Sequence, residues 1–416
     1  MKTRPIAELL TIGTELVTGS TVNTNAAYLG RELTKLGLKV EYQSACRDEQ
    51  DAIHSVLRLA LSRSDVIFIC GGLGPTPDDI TRECIADFFR VPLAFSKKQY
   101  AEIRRRYRLR DKKVPSIVKR ESYFPANARP VFNQFGIALG FIIEKRERSL
   151  IALPGVPGEL TRLFESRILD YLRGRFPNLE PLSVLVVKTV GLSEPSIMKR
   201  LGRAFFEMGA FQFGIYPETG QVSLRIYADS SAVTRRLKRW IARVLGSDIY
   251  SFADESLESV IGKDLKAKRW TVSAAESCTG GRIAERISSV PGASAYFKGG
   301  VVAYHNGVKS NVLGVPEKTL EKWGAVSKQV ALEMAQGIRR RLGSTLGLAV
   351  TGIAGPTGGS TKKPVGLVYI AIATAEKSRV WEERFGGDRE HIQTRAAIKA
   401  LEYLWRWIRR KSSAHS

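Results

Sequence analysis

Apolar positions along the chain alternate between short continuous runs and helical spacings. Ala7–Ile12 reads as a buried strand. From Thr24 the spacing turns helical, with Leu29, Leu33 and Leu36 on one face and Asn23 or Thr24 available as the cap. Leu38–Gln43 reads as the next strand, and Asp48 is expected to cap a helix carrying Ile53, Val56, Leu57, Ala60 and Leu61. Asp65–Cys70 is a continuous apolar strand running into Gly71-Gly72-Leu73-Gly74, and Asp79–Phe89 is the following helix. Such alternation predicts a parallel sheet covered on both faces. Ligands of such sheets bind beyond the carboxyl ends of the strands, where Gly13-Thr14-Glu15 and the glycine loop both fall.

Further along, Lys97–Arg120 holds a cationic stretch that includes Arg104, Arg105, Arg106, Arg108 and Arg110. It reads as a solvated helix face or as an arm that attracts phosphates. A loop-rich segment with Pro125, Pro130 and Gly136–Gly140 leads to the strand Leu150–Leu153, then to Pro154-Gly155-Val156-Pro157-Gly158-Glu159 and a helix. The pattern breaks around Arg173–Pro181. A small α/β unit follows, with the strand Leu182–Val190, a helix from Glu194, a turn at Pro217–Gly220, the strand Gln221–Tyr227 and the helix Ala232–Leu245. From Glu255 a third unit alternates helices with the strands Thr271–Ala275, Gly299–Tyr304, Leu346–Thr351 and Gly366–Thr374, and ends on the helix Asp388–Arg410. The expectation is a multi-domain α/β protein divided at 1–177, 178–253 and 254–416.

Composition changes this picture little, and charge changes it more. The chain has 416 residues, too many for one ordinary core, and a formal net charge of +24. The positive residues are spread along the chain, which argues against a nucleic-acid footprint without closing that reading. Cys46, Cys70, Cys84 and Cys278 show no CxxC and no metal spacing, so reduced thiols are expected. The start of the chain has no apolar signal region, and no apolar run reaches the ~18 residues of a membrane span. A soluble, cytoplasmic protein with no membrane partner is expected.

Two stretches suggest chemistry. In the first domain, amides of Gly71, Gly72 and Gly74, with Thr76, could cradle a phosphate while Glu15, Asp78 and Asp79 hold a divalent cation. Asp79 could instead cap the helix after it. Pro154-Gly155 could shape a turn or bring backbone close to a ligand. In the third unit, Val272–Gly281 has the layout of a strand, a loop and a helix start, whose free amides would suit an anion. Ser277, Thr279, Ser294, Tyr304 and Thr351 supply hydroxyls there, and Lys309 is a basic candidate. Amide hydrolysis needs a nucleophile, a base and oxyanion donors. No histidine stands where a triad would be obvious, and His305 reads as a strand-end residue. A serine with a lysine or tyrosine base is the alternative, and it requires burial to lower the lysine pKa. Cys278 beside a helix start is a weaker nucleophile candidate.

Gly13-Thr14-Glu15-Leu16 with Gly19, Asn23-Thr24-Asn25, Gly71–Thr76 with Asp78-Asp79, and Leu153–Pro157 resemble the molybdopterin-binding fold, a doubly wound sheet. Ala275–Gly281, Pro291–Ser294, Tyr304 with Asn306 and Lys309, and Thr351–Pro356 match a nicotinamide-nucleotide deamidase domain. In this order over nearly the whole chain, the motifs resemble the CinA family of competence/damage-inducible proteins. The resemblance implies a C-terminal domain that converts nicotinamide mononucleotide to the acid nucleotide and ammonia without a cofactor, a step of pyridine-nucleotide salvage. It implies an N-terminal domain that cleaves ADP-ribose to AMP and ribose 5-phosphate with a divalent metal, and a homodimer. By the same resemblance Ser294 is the preferred nucleophile and Ser277 its rival, with Lys309 and Tyr304 as proton-transfer partners. Ser277 and Thr351 would contact substrate or oxyanion, Thr279-Gly280-Gly281 would take the 5′-phosphate, and Gly352 and Arg389 would complete the substrate contacts. Three positions depart from the family: Glu121 in place of a glutamine, Gly136-Ile137-Ala138-Leu139-Gly140 in place of Gly-Thr-Ala-Pro-Gly, and Gln393 in place of an arginine. Rival readings are a non-catalytic protein of DNA uptake or repair and a molybdopterin-handling protein.

Overall fold

The computed structural model describes residues 4–109 and 112–410, so Arg110 of the cationic stretch lies outside the described residues. The chain divides into two compact units, 1–183 and 184–416. In the first, the strands are β1 (Ile6–Ile12), β2 (Lys39–Cys46), β3 (Val66–Cys70), β4 (Leu93–Phe95), β5 (Tyr123–Pro125), β6 (Arg129–Val131), β7 (Gly140–Lys145) and β8 (Arg148–Leu153). Six of them form one sheet in the order β2-β1-β3-β8-β7-β6, and β4 pairs with β5 apart from it. The four from β2 to β8 are parallel, and β7 and β6 extend the sheet antiparallel.

The centre is parallel because β3 is Val-Ile-Phe-Ile-Cys, buried at every position, so both of its faces need cover. Phe68 packs with Leu29, Leu33 and Phe164 on one side, and Ile67 and Ile69 pack with Ile53, Leu57 and Ile85 on the other. Asn23 caps the helix Thr24–Leu36 by accepting from the Ala26 amide at 3.0 Å. Two expected caps fail. Asp48 accepts instead from the Thr14 amide at 2.8 Å, tying down the turn after β1. The helix Thr81–Phe89 starts two residues later than expected, and Asp79 turns back to the Thr76 amide at 2.9 Å.

The second unit holds two sheets. β9 (Ser183–Val190), β10 (Phe211–Glu218), β11 (Gln221–Ala228) and β12 (Ile249–Ser251) pair in the order β10-β11-β9-β12, with the helices Glu194–Phe206 and Ser231–Leu245 packed on their core. β10 was not expected from the sequence; Gly214 and Pro217 interrupt its apolar run, and the turn is the tighter Thr219-Gly220. β13 (Val272–Glu276), β14 (Phe297–Val302), β15 (Leu346–Gly352), β16 (Leu367–Ala373) and β17 (Ser378–Arg384) form a second sheet in the order β14-β13-β15-β16-β17. Its first three strands are parallel and the last two antiparallel. Ala274 faces the core under the helices Leu257–Lys268 and Arg389–Arg409, and Ala275 the core under Lys328–Leu342. Val190 and Tyr250 join the first of these cores, and Arg406 reaches Asp248 at 2.8 Å. These contacts gather the expected second and third domains into one compact unit.

Gly347 in β15 leaves no room for a side chain. A β-carbon there would stand 2.0 Å from the Ala335 carbonyl oxygen and 3.0 Å from its carbon. Both atoms are backbone of the packed helix Lys328–Leu342. Gly347→Ala is therefore expected to destabilise this unit by about 3 kcal/mol, since strand or helix must shift bodily. Urea unfolding measures it, and an unchanged midpoint would contradict the packing.

Candidate functional site

In the first unit the glycine loop is shaped by close backbone approach. Gly71 has φ +104°, and a β-carbon there would stand 2.2 Å from the Ile12 carbonyl oxygen at the end of β1. Gly72 has φ +64° and lies against the Thr81 hydroxyl, which donates to the Gly71 carbonyl at 3.0 Å. Arg82, almost fully buried, donates to the Leu73 carbonyl and, at 3.0 Å, to that of Gly74. The loop is thus held by its carbonyl groups. Gly155 packs against Gly71, and its carbonyl accepts from the Asn25 amide group at 2.7 Å. The Pro154-Gly155 turn therefore brings backbone onto the glycine loop.

The expected metal ligands are not gathered. Glu15 is exposed on the single turn Thr14–Val17, Asp78 is exposed, and Asp79 is engaged by the amide and hydroxyl of Thr76. Among the described residues no three His, Cys, Asp or Glu side chains stand together as a metal ligand set. The donor set present does not fit a preassembled divalent site.

Glu121 is buried beside Arg82, Glu159 and Asp79. Burial pushes its carboxyl up to about 7, with Glu159 and Asp79 adding to the rise and Arg82 opposing it. Unfolded, the group releases its proton near 4.5. Between those values the folded chain holds a proton that the unfolded chain has lost, so stability falls as pH rises from about 4.5 through 7. Glu121→Gln is expected to leave stability unchanged near pH 4. At pH 8 it should raise stability by about 2 kcal/mol, screening by water included. Denaturant titrations at the two pH values check this; an equal effect at both would contradict it.

In the second unit the chain brings several groups to the carboxyl ends of β14, β13 and β15. The Ser277 amide bonds the Val350 carbonyl at 2.9 Å, and the Ala303 amide bonds that of Glu276 at 2.7 Å, so Ser277, Tyr304 and the end of β15 adjoin. Lys309 lies on the short helix Asn306–Asn311, which His305 caps by accepting from the Gly307 amide at 3.1 Å. Only 1% of Lys309 is exposed, and its Nζ donates to the carbonyls of Ala303 at 2.8 Å and Tyr304 at 3.2 Å. Among the described residues no carboxylate pairs with it. Burial lowers its pKa, which favours the neutral amine that a base must be. The Tyr304 oxygen accepts from Arg389 at 2.7 Å, and Arg389 also donates to the Gly355 carbonyl at 2.7 Å, beyond Gly352. Gln393 donates to the Cys278 carbonyl at 2.7 Å and accepts from Arg282 at 3.3 Å. Gln393 therefore ties the loop to the last helix.

The other candidates stand elsewhere or are engaged within the fold. Thr279-Gly280-Gly281 is not an open phosphate seat. The Glu276 carboxylate accepts from the amides of Gly281 at 3.0 Å, Ile283 at 3.1 Å and Ala284 at 2.8 Å, and the Thr279 hydroxyl is buried. Thr351 is fully buried and its hydroxyl donates to the Ala325 carbonyl at 2.8 Å. Ser294 is exposed but stands before β14, next to the Tyr296 carbonyl that binds the start of β13. The whole strand Phe297–Val302 separates it from Tyr304 and Lys309, roughly 20 Å at the usual rise per residue. Cys278 is buried and its thiol is pushed up to about 12, chiefly by that burial, so it is no ready thiolate. The part of Glu276 was missed, although an acid closing a buried strand six residues before a helix was its signal.

Among the described residues no helix is long and apolar enough to cross a membrane. Profiles of two families match the chain: "CinA C-terminal domain" over residues 254–408 and "Probable molybdopterin binding domain" over residues 8–174. A competence-damage inducible protein of Clostridium botulinum (strain Loch Maree) is 36% identical over 404 residues, which cover 96% of this chain and 98% of that protein. Its counterpart in Caldanaerobacter subterraneus is 39% identical over 406 residues, again 96% and 98% of the two chains. The crystal structure of the competence/damage inducible protein CihA from Agrobacterium tumefaciens is 43% identical, spans 36% of this chain and 91% of its own, and has a TM-score of 0.35. With both end domains matched in order and relatives aligned over nearly their full length, the chain belongs to the CinA family of competence/damage-inducible proteins.

Proposed function

We propose that the second unit hydrolyses the carboxamide of nicotinamide mononucleotide, releasing ammonia and the acid nucleotide. The observation that carries this reading is Lys309: buried, without a carboxylate partner, and at the same strand ends as Ser277. The Lys309 amine takes the Ser277 hydroxyl proton as Oγ attacks the carboxamide carbon. The tetrahedral intermediate collapses as the ammonium returns the proton to the departing nitrogen, and ammonia leaves an ester on Ser277. Water, activated by the same amine, releases the acid. Arg389 occupies the Tyr304 oxygen as an acceptor, which leaves the phenol proton free to meet the substrate. The test is ammonia release by the full chain, with nicotinamide and NAD as comparison substrates. Release from the mononucleotide supports the reading; none from any of the three would overturn it.

For the first unit, family membership and the meeting of Gly71 with Gly155 favour ADP-ribose cleavage to AMP and ribose 5-phosphate. No step is assigned to a metal, because the carboxylates do not form its ligand set. The test is AMP release from ADP-ribose by the full chain, measured with added Mg²⁺ and again with chelator. Its absence under both conditions would leave the second unit as the sole enzyme.

A further inference from the structure

A cavity of about 800 Å³ opens along the free edge of the first unit's sheet, between β6, the helix Lys97–Leu109 and the helical stretch Phe164–Arg175. Its lining includes none of the glycine-loop residues. The volume lies within the range of small-ligand sites. Buried apolar groups floor it: Val131, Ile142 and Ile168. Phe132 and Tyr171 supply aromatic faces, and Tyr171 is held by its hydroxyl bond to Ser149 at 2.7 Å.

The rim is cationic. Lys98, Arg129 and Arg167 line it and are exposed, and among the described residues none of them pairs with a carboxylate. The acids of the lining are already engaged: Glu102 binds Arg105 at 2.7 Å, and Asp170 binds Arg173 at 3.4 Å. Lys98 lies over the Phe132 ring at 4.3 Å and Arg129 over the Tyr171 ring at 5.0 Å. Long exposed side chains leave such positions at little cost, so the rings can pass to a planar base while the cations turn to an anion. An added strand of peptide fits less well. β6 has only three residues and its middle one is Pro130, which has no amide hydrogen to offer a partner.

We propose that this edge cavity is a nucleotide-binding site, taking a planar base against Phe132 and Tyr171 and its phosphate on Arg129, Arg167 and Lys98. It gives the cationic helix Lys97–Leu109 a ligand and is independent of both activities proposed above.

The test is photolabelling of the full chain with 8-azido-AMP, followed by mapping of the labelled peptides. The label is expected on the peptides carrying Phe132 or Tyr171, where AMP competes for it and adenosine and inorganic phosphate compete far less. Arg129→Glu with Arg167→Glu should cut it roughly tenfold or more, the loss of at least one charge-assisted contact. Both residues are exposed, so the core is untouched, and Phe132→Ala provides a second variant with the same expected direction. Label confined to the glycine loop or to the loop at Ser277 would overturn the proposal, as would label indifferent to charge reversal. Equal competition by phosphate would leave no base recognition. A short oligothymidylate competing at far lower concentration than AMP would assign the cavity to nucleic acid instead.

Discussion

Lys309→Met is expected to lower ammonia release from nicotinamide mononucleotide by about a thousandfold, within the range that a positioned base contributes. The variant should stay folded. Methionine fills a similar volume, and the change removes a buried amine whose burial disfavours its charge. The cost is limited to the carbonyls of Ala303 and Tyr304, which lose a donor. The pH profile of the parent chain gives an independent readout. If the working form is the neutral amine, turnover rises with pH through the lowered pKa of Lys309 and falls away in acid. The midpoint should lie below the ordinary lysine value of 10.5. A folded Lys309→Met protein with full turnover would remove Lys309 from the chemistry.

Glu276→Ala has the largest expected effect on stability. It strips three backbone amides of their acceptor, at Gly281, Ile283 and Ala284, and leaves those donors at the start of a helix. Hydrogen bonds to a charged acceptor contribute about 1.5–3 kcal/mol each, and the three share one side chain, so a loss of about 4 kcal/mol is expected. The loop 277–281 would lose its anchor at the same time, and ammonia release should fall even where the protein is still folded. Glu276→Gln keeps one acceptor oxygen and should fall between. Urea unfolding reads the stability and ammonia release reads the loop. A loss below about 1 kcal/mol would mean that the amides are satisfied by water instead.

These residues also mark how far the fold and site were legible in the sequence. β3 and β15 were plain because strands buried on both faces read as unbroken apolar runs. β17 was not, because an edge strand that spaces Arg379, Glu382, Glu383 and Arg384 among its few apolar residues gives no such signal. In the second unit Ser277, Tyr304, Lys309 and Arg389 were all identified from motifs, and the fold gathers them at one end of a sheet. Ser294 came from an equally good motif, but a motif does not say which end of a strand it will occupy. At the Gly280-Gly281 loop the reason is different. A glycine loop entering a helix reads the same whether its amides are free or taken, and only the direction of the Glu276 side chain decides it.

The central claim is that the amide-cleaving centre stands at the carboxyl ends of β13 and β14, with Ser277 as nucleophile. Its most direct test compares ammonia release from nicotinamide mononucleotide by Ser277→Ala and Ser294→Ala proteins, each checked for an unchanged melting temperature. Ser277→Ala is expected to lose release by about a thousandfold or more, and Ser294→Ala to keep it within a fewfold of the parent. The reverse pattern, with Ser294→Ala inactive and Ser277→Ala active, would contradict it.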